Sequence, residues 1–193
     1  MQQKTNDRRM SEDETAGFLA ERTCGVVCLN GEDGFPYGVP VNYVVMDGAV
    51  YFHGSMSGEK ADAIARDPRC CFTVYEDDGF EITGESACNT STVYRSAVVR
   101  GNVSAVADES ERVRALRRIV DVLVPERRDV PMSPSMVSRT AVFRIDIVSM
   151  TGRSRLPMGG RRVPGAVRRC PPSARSCQSC LYRRTNFNHP ESK

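Results

Sequence analysis

The stretch Tyr51-Phe-His-Gly-Ser-Met-Ser-Gly-Glu-Lys-Ala-Asp-Ala-Ile-Ala-Arg-Asp-Pro68 constrains the fold more than any other. A short strand, Val50 to His53, runs into two glycines and two serines and then a helix carrying Lys60 in its first turn. Asp67-Pro68 stops that helix, because proline disfavours helical backbone in the residue before it. Free N–H groups at a helix start, the helix dipole and a lysine together favour an anion such as a phosphate. The order Gly54-x-x-x-Gly58-x-Lys60-Ala61 is not a Walker A loop, and no G-x-G-x-x-G turn occurs. Taken alone, the unit reads first as a plain strand-to-helix turn with an exposed lysine.

The surrounding pattern is mainly β. Strands are predicted at 24–30, 37–46, 49–54, 69–76, 92–106 and 140–150, and helices at 11–21, 58–66 and 109–123. Ser11 with Glu14, and Asp108 with Glu111, have capping-box spacing. Val113, Leu116, Ile119, Val120 and Leu123 make one apolar stripe on the third helix. Residues 78–91 read as a long loop at a barrel mouth, with Asp77, Asp78 and Glu81 solvated, and 125–134 as a Pro-rich loop. Many strands, few helices and one late crossover fit a small antiparallel barrel and exclude a doubly wound sheet. No signal peptide or membrane-length apolar run is visible, so a cytoplasmic location is expected.

Charge divides the chain. Residues 1–152 hold 17 Lys and Arg against 23 Asp and Glu, a net −6, whereas residues 153–193 hold 10 against 1, a net +9. The expected organisation is therefore a domain over 1–155 and a basic tail over 156–193 that reads as disordered and dispensable. Nucleic acid could be engaged only through that tail. Cys170, Cys177, Cys180 and His189 offer a zinc lobe as an alternative, but only one tight ligand pair is present and no metal site is assigned. A tail of unselected sequence is the other alternative. Five more cysteines lie before it: Cys28 and Cys71 read as small core residues, Cys70 and Cys71 point oppositely, and Cys88 is the candidate reactive thiol.

Three segments in order resemble the FMN-binding split β-barrel superfamily of pyridoxamine 5′-phosphate oxidase, and most closely its nitroimidazole-resistance (Nim-like) branch. They are Gly34-Phe-Pro-Tyr-Gly-Val-Pro-Val-Asn-Tyr-Val-Val45, the Tyr51–Pro68 unit, and Tyr94-Arg-Ser-Ala-Val-Val-Arg-Gly-Asn-Val103. The resemblance spans residues 8–153. It implies an antiparallel split barrel with flanking helices, assembled as a homodimer with FMN in a groove between the chains. Carried over by position, Tyr37, Val39, Pro40, Val41 and Asn42 form the ring-side strand, and Phe52, His53 and Lys60 the phosphate end. Ser96 contacts the cofactor from a later strand, and Arg95 is offered as the cation missing where Glu59 replaces an arginine.

The implied activity is FMN-dependent reduction of a small oxidised compound, nitroaromatics included, with electrons from a nicotinamide donor. His53 is the one catalytic candidate, orienting substrate or giving a proton to the reduced product. The competing class is a non-enzymatic flavin- or haem-binding protein serving as a store or redox sensor. Synthesis of pyridoxal phosphate is not expected, since the chain has no tryptophan and lacks the family's aromatic, Arg-rich terminal segment.

Overall fold

The computed structural model describes residues 8–163. Four helices are present there: α1 (Glu12–Glu21), α2 (Glu59–Arg66), α3 (Glu109–Leu123) and α4 (Pro134–Arg139). Seven strands accompany them: β1 (Cys24–Asn30), β2 (Pro36–Met46), β3 (Ala49–Gly54), β4 (Arg69–Ile82), β5 (Thr90–Ala105), β6 (Ala141–Arg155) and β7 (Arg161–Val163). All pairings are antiparallel, in the order β1-β2-β3-β6-β5-β4-β7, and a β1–β4 pairing closes the first six into a barrel. This agrees with the expected antiparallel barrel with flanking helices. No described helix is long and apolar enough to cross a membrane.

Period-two alternation sends one side of each strand inward. On β1, Gly25, Val27 and Leu29 are buried while Cys24, Val26 and Cys28 face out. Phe72 lies at the centre: its ring meets Tyr43 edge-on with centroids 4.9 Å apart, and a Cβ on Gly25 would stand 2.4 Å from its Cζ. The glycine is what lets β1 close against β4 over that ring.

Helix α1 plugs one end of the barrel. Its capping box forms as expected, with Glu14 N–H donating to Ser11 Oγ and Ser11 N–H to Glu14 Oε2. Phe18 and Leu19 are buried beneath it, and the buried Tyr43 hydroxyl donates to the Leu19 carbonyl at 2.6 Å. Helix α3 covers the outer face of β2, β3 and β6 and builds a second core from Val44, Tyr51, Ala115, Ile119 and Val142. That face is rotated from the expected stripe: Ala115 is fully buried, whereas Val113 lies at the rim. The Asp108–Glu111 box is only half made. Asp108 caps the Glu111 N–H, but the Glu111 carboxylate accepts from Tyr51 and Arg144 instead. Burial and this bond push the Tyr51 phenol up to about 12.

Several expectations are corrected. The presumed loop 78–91 is strand at both ends, because β4 runs on to Ile82 past an irregularity after Asp77 and β5 begins at Thr90. Glu81 is not solvated but fully buried, its Oε1 accepting the Met158 and Gly160 N–H groups, each at 2.7 Å. That carboxylate folds the chain after β6 back onto β4, where β7 pairs with Phe80–Ile82 and Arg162 bonds Asp78. The sheet thus continues past the expected boundary at 155 to Val163. The Pro-rich loop begins with a 3₁₀ turn at Pro125–Arg127, and a short helix, α4, follows it before β6. Cys70 is the core cysteine, its thiol pushed up to about 11 mainly by burial, while Cys28 and Cys71 are half-buried on the outer face. Cys170, Cys177, Cys180 and His189 lie outside the described residues.

Two substitutions test this packing. Gly25→Ala forces a methyl into the Phe72 ring and is expected to cost about 1–3 kcal/mol in denaturant unfolding. Glu81→Ala removes two charge-assisted bonds, and amide exchange at Met158 and Gly160 should rise while the barrel core stays protected.

Candidate functional site

The Tyr51–Pro68 unit folds as its composition dictates. β3 ends at Gly54, the Ser55–Ser57 turn is held by the Ser57 N–H on Ser55 Oγ, and Gly58 takes a positive φ of 97° before α2 begins. Glycine is the residue that adopts this conformation without strain. Gly58 offers no side-chain cap, so the first N–H groups of α2 keep their hydrogen-bonding capacity.

Lys60 folds back over the end of β3. A Cβ on Gly54 would lie 2.3 Å from its Nζ, so a side chain there would push the flexible lysine tip off this position. Nζ stands 5.7 Å from the Phe52 ring centroid and 5.6 Å from that of Phe143, two rings stacked 5.2 Å apart. No carboxylate pairs with it among the described residues. The half-buried position lowers its pKa through desolvation. An ammonium held off water on two ring faces, with free helix amides beside it, fits an anion such as a phosphate. Glu59 is exposed and leaves this approach open.

His53 precedes Gly54 on β3. Desolvation and then the Lys60 charge lower its pKa from 6.5, which favours the neutral imidazole even though the residue is exposed. Tyr43 pairs with Phe52, which sets Asn42 of β2 beside His53 on the outward side. Pro40 is likewise exposed on that side.

The fold therefore brings together Pro40, Asn42, His53 and Lys60. It sends four other expected contacts inward. Tyr37, Val39 and Val41 pack toward the barrel interior, and the fully buried Phe52 can meet a ligand only through its backbone. Ser96 lies on β5, paired with Tyr75 and Arg153, three strands round the barrel from β2 and so roughly 14 Å of sheet away. Arg95 does not supply the missing cation: it makes two hydrogen bonds to Glu76 and lies 4.9 Å over the Phe18 ring at the α1 end. Sequence reading missed Phe143, which reaches the site from β6, and the adjoining apolar cavity. That cavity has about 400 Å³ and is walled by Met56, Ala61, Ile64, Val103 and Phe143. The glycine at 54 was the one signal of a close approach.

The profile of the pyridoxamine 5′-phosphate oxidase family matches residues 11–154, three quarters of the chain. The protein belongs to this family. Among solved structures, the flavocytochrome Anf3 of Azotobacter vinelandii is similar at 22% identity with a TM-score of 0.70, covering 93% of this chain and 94% of that one. A protein of Mycobacterium smegmatis described as binding FAD and haem gives 21% and 0.69, covering 87% and 96%. A candidate 5-nitroimidazole antibiotic resistance protein of Bacteroides thetaiotaomicron gives 22% and 0.67, covering 75% and 85%. No curated protein matches the sequence.

The lowered His53 pKa has a signed consequence. The unfolded chain takes up this proton more readily than the folded one, so stability rises with pH from the lowered folded value up to about 6.5. Lys60→Met removes the neighbouring charge, and an imidazole NMR titration should show the His53 midpoint moving up toward 6.5.

Proposed function

We propose that this member of the pyridoxamine 5′-phosphate oxidase family is an FMN-dependent oxidoreductase. It works as a homodimer and passes electrons from a nicotinamide donor to a small oxidised compound, nitroaromatics included. The half-buried Lys60 ammonium, without a carboxylate partner among the described residues, carries the reading. Lys60 and the first amides of α2 hold the phosphate, and a terminal phosphate monoester there favours FMN over FAD. Pro40 and Asn42 flank the ring on the outward side of β2. FMN, when bound, accepts hydride and delivers electrons singly or in pairs.

The lowered pKa of His53 favours a hydrogen-bonding role in orienting substrate over direct proton donation. The apolar cavity beside Lys60 opens to solvent at Met56, 66% exposed, and a second chain would close it. Ser96 would then reach the cofactor from the neighbouring barrel.

The purified protein should be yellow and sediment as a dimer, and it should bind FMN more tightly than FAD. Lys60→Ala should weaken FMN binding by about 1–3 kcal/mol, roughly 5- to 150-fold. Anaerobic NADH or NADPH should bleach the flavin faster than free FMN, and a nitro compound should restore the colour. A colourless protein whose melting temperature ignores FMN refutes the proposal.

A second reading has one observation behind it: two similar structures are described as a flavocytochrome and as binding haem with FAD. A haem Soret band, with bleaching no faster than free FMN, would favour a non-enzymatic store or sensor.

A further inference from the structure

Cys28 and Cys71 stand directly opposite one another across the β1–β4 pairing. Both are free thiols and half-buried, and they lie on the outer face, where the flavin reading gives them no role. Burial and then the neighbouring Cys71 raise the Cys28 pKa, so its thiolate, and with it thiol exchange, is favoured as the pH rises. Directly opposed residues of an antiparallel pair have Cα atoms about 4.5–5.5 Å apart, within the roughly 4.4–6.8 Å span of disulfides. Their Cβ atoms, about 4.5–5.5 Å apart, lie at or beyond the long end of the disulfide range, so a bond there would carry strain and reduce readily.

The surroundings supply access and charge. The pair opens into a groove of about 760 Å³ that Arg69, Arg100, Asn102 and Val148 also line. Arg100 is the β5 partner of Cys71, so its side chain leaves the sheet on the same side. Arg69 is held by the Asp67 carboxylate through its Nε and Nη2, so Arg100 is the guanidinium left to meet an oxidant that carries a carboxylate. The position matters mechanically as well. β1 and β4 are joined by three residue pairs alone, 26 with 73, 27 with 72 and 28 with 71, so a bond at the last would pin the seam that closes the barrel.

We propose that Cys28 and Cys71 form a reversible dithiol–disulfide site that reacts with small anionic disulfides of the glutathione type and locks the barrel seam. One protein thiolate attacks the small disulfide, forming a mixed disulfide and releasing one small thiolate. The second protein thiol, losing its proton, displaces the other small thiolate and closes the Cys28–Cys71 bond. Two protein thiols are oxidised, one small disulfide is reduced to two thiols, and the two protons pass to those leaving groups. Cys70 takes no part, because its side chain faces the core.

The test uses the full chain treated with glutathione disulfide, then alkylated and mapped by mass spectrometry. The expected product is an intrachain cross-link joining the peptide with Cys28 to the peptide with Cys71. It should disappear in both Cys28→Ser and Cys71→Ser, persist in Cys70→Ser, Cys24→Ser and Cys88→Ser, and reverse with dithiothreitol. Closing the seam should raise the melting temperature by about 5 °C, an increase absent from Cys71→Ser under the same oxidant. Full alkylation of Cys28 and Cys71 after oxidation overturns the proposal, as does a cross-link that forms elsewhere or between chains. Cys28→Ala and Cys71→Ala keep the test open should either serine variant fail to fold.

Discussion

Closing a six-stranded sheet on itself requires its first and fourth strands to meet, and in this barrel they do so through three residue pairs. So short a seam holds because of what lies under it. The Phe72 ring fills the space a side chain at position 25 would take, and Tyr43 abuts that ring edge-on. Tyr43 in turn ties its hydroxyl to the Leu19 carbonyl, so the plug α1 and the seam share one aromatic anchor. Register on every other strand follows from this closure, because a one-residue slip would turn each inward side chain out.

The site is a by-product of the same geometry. β3 must end where the barrel ends, and the Phe52–Phe143 stack that finishes the core there also offers its upper surface to Lys60. The lysine is therefore positioned by core packing and by the missing side chain at Gly54, not by an ion pair. An ammonium without a carboxylate partner among the described residues keeps its charge for a ligand, whereas Arg95, whose charge is spent on Glu76, does not.

Glu81 shows how one buried carboxylate can extend a fold. Taking it from water is expensive unless donors replace the lost hydration; the Met158 and Gly160 amides do so at Oε1, while the buried Oε2 has no partner among the described residues. In consequence the chain after β6 turns back and adds β7 to the part of β4 that β1 leaves uncovered.

The local elements are legible along the chain: the Ser11 capping box, the glycine-serine turn before α2, the Asp67-Pro68 stop and the alternation of each long strand. Those signals act over a few residues and survive without knowledge of partners. Lys60 was marked only by the three-segment resemblance, since the glycine-serine turn taken alone reads first as a plain strand-to-helix turn. Tertiary structure alone decided which side of β2 meets solvent, sending Tyr37 and Val41 inward and leaving Pro40 and Asn42 out. It likewise decided that Glu111 serves Tyr51 instead of its own helix, and that Phe143 comes from β6 to the foot of Lys60. Glu81 in a run of acids read as solvated, and Cys28 and Cys71 read as core, because exposure is set by which strand passes alongside. Closure of the barrel brings residues 43 positions apart into one pair, and no local pattern encodes that distance.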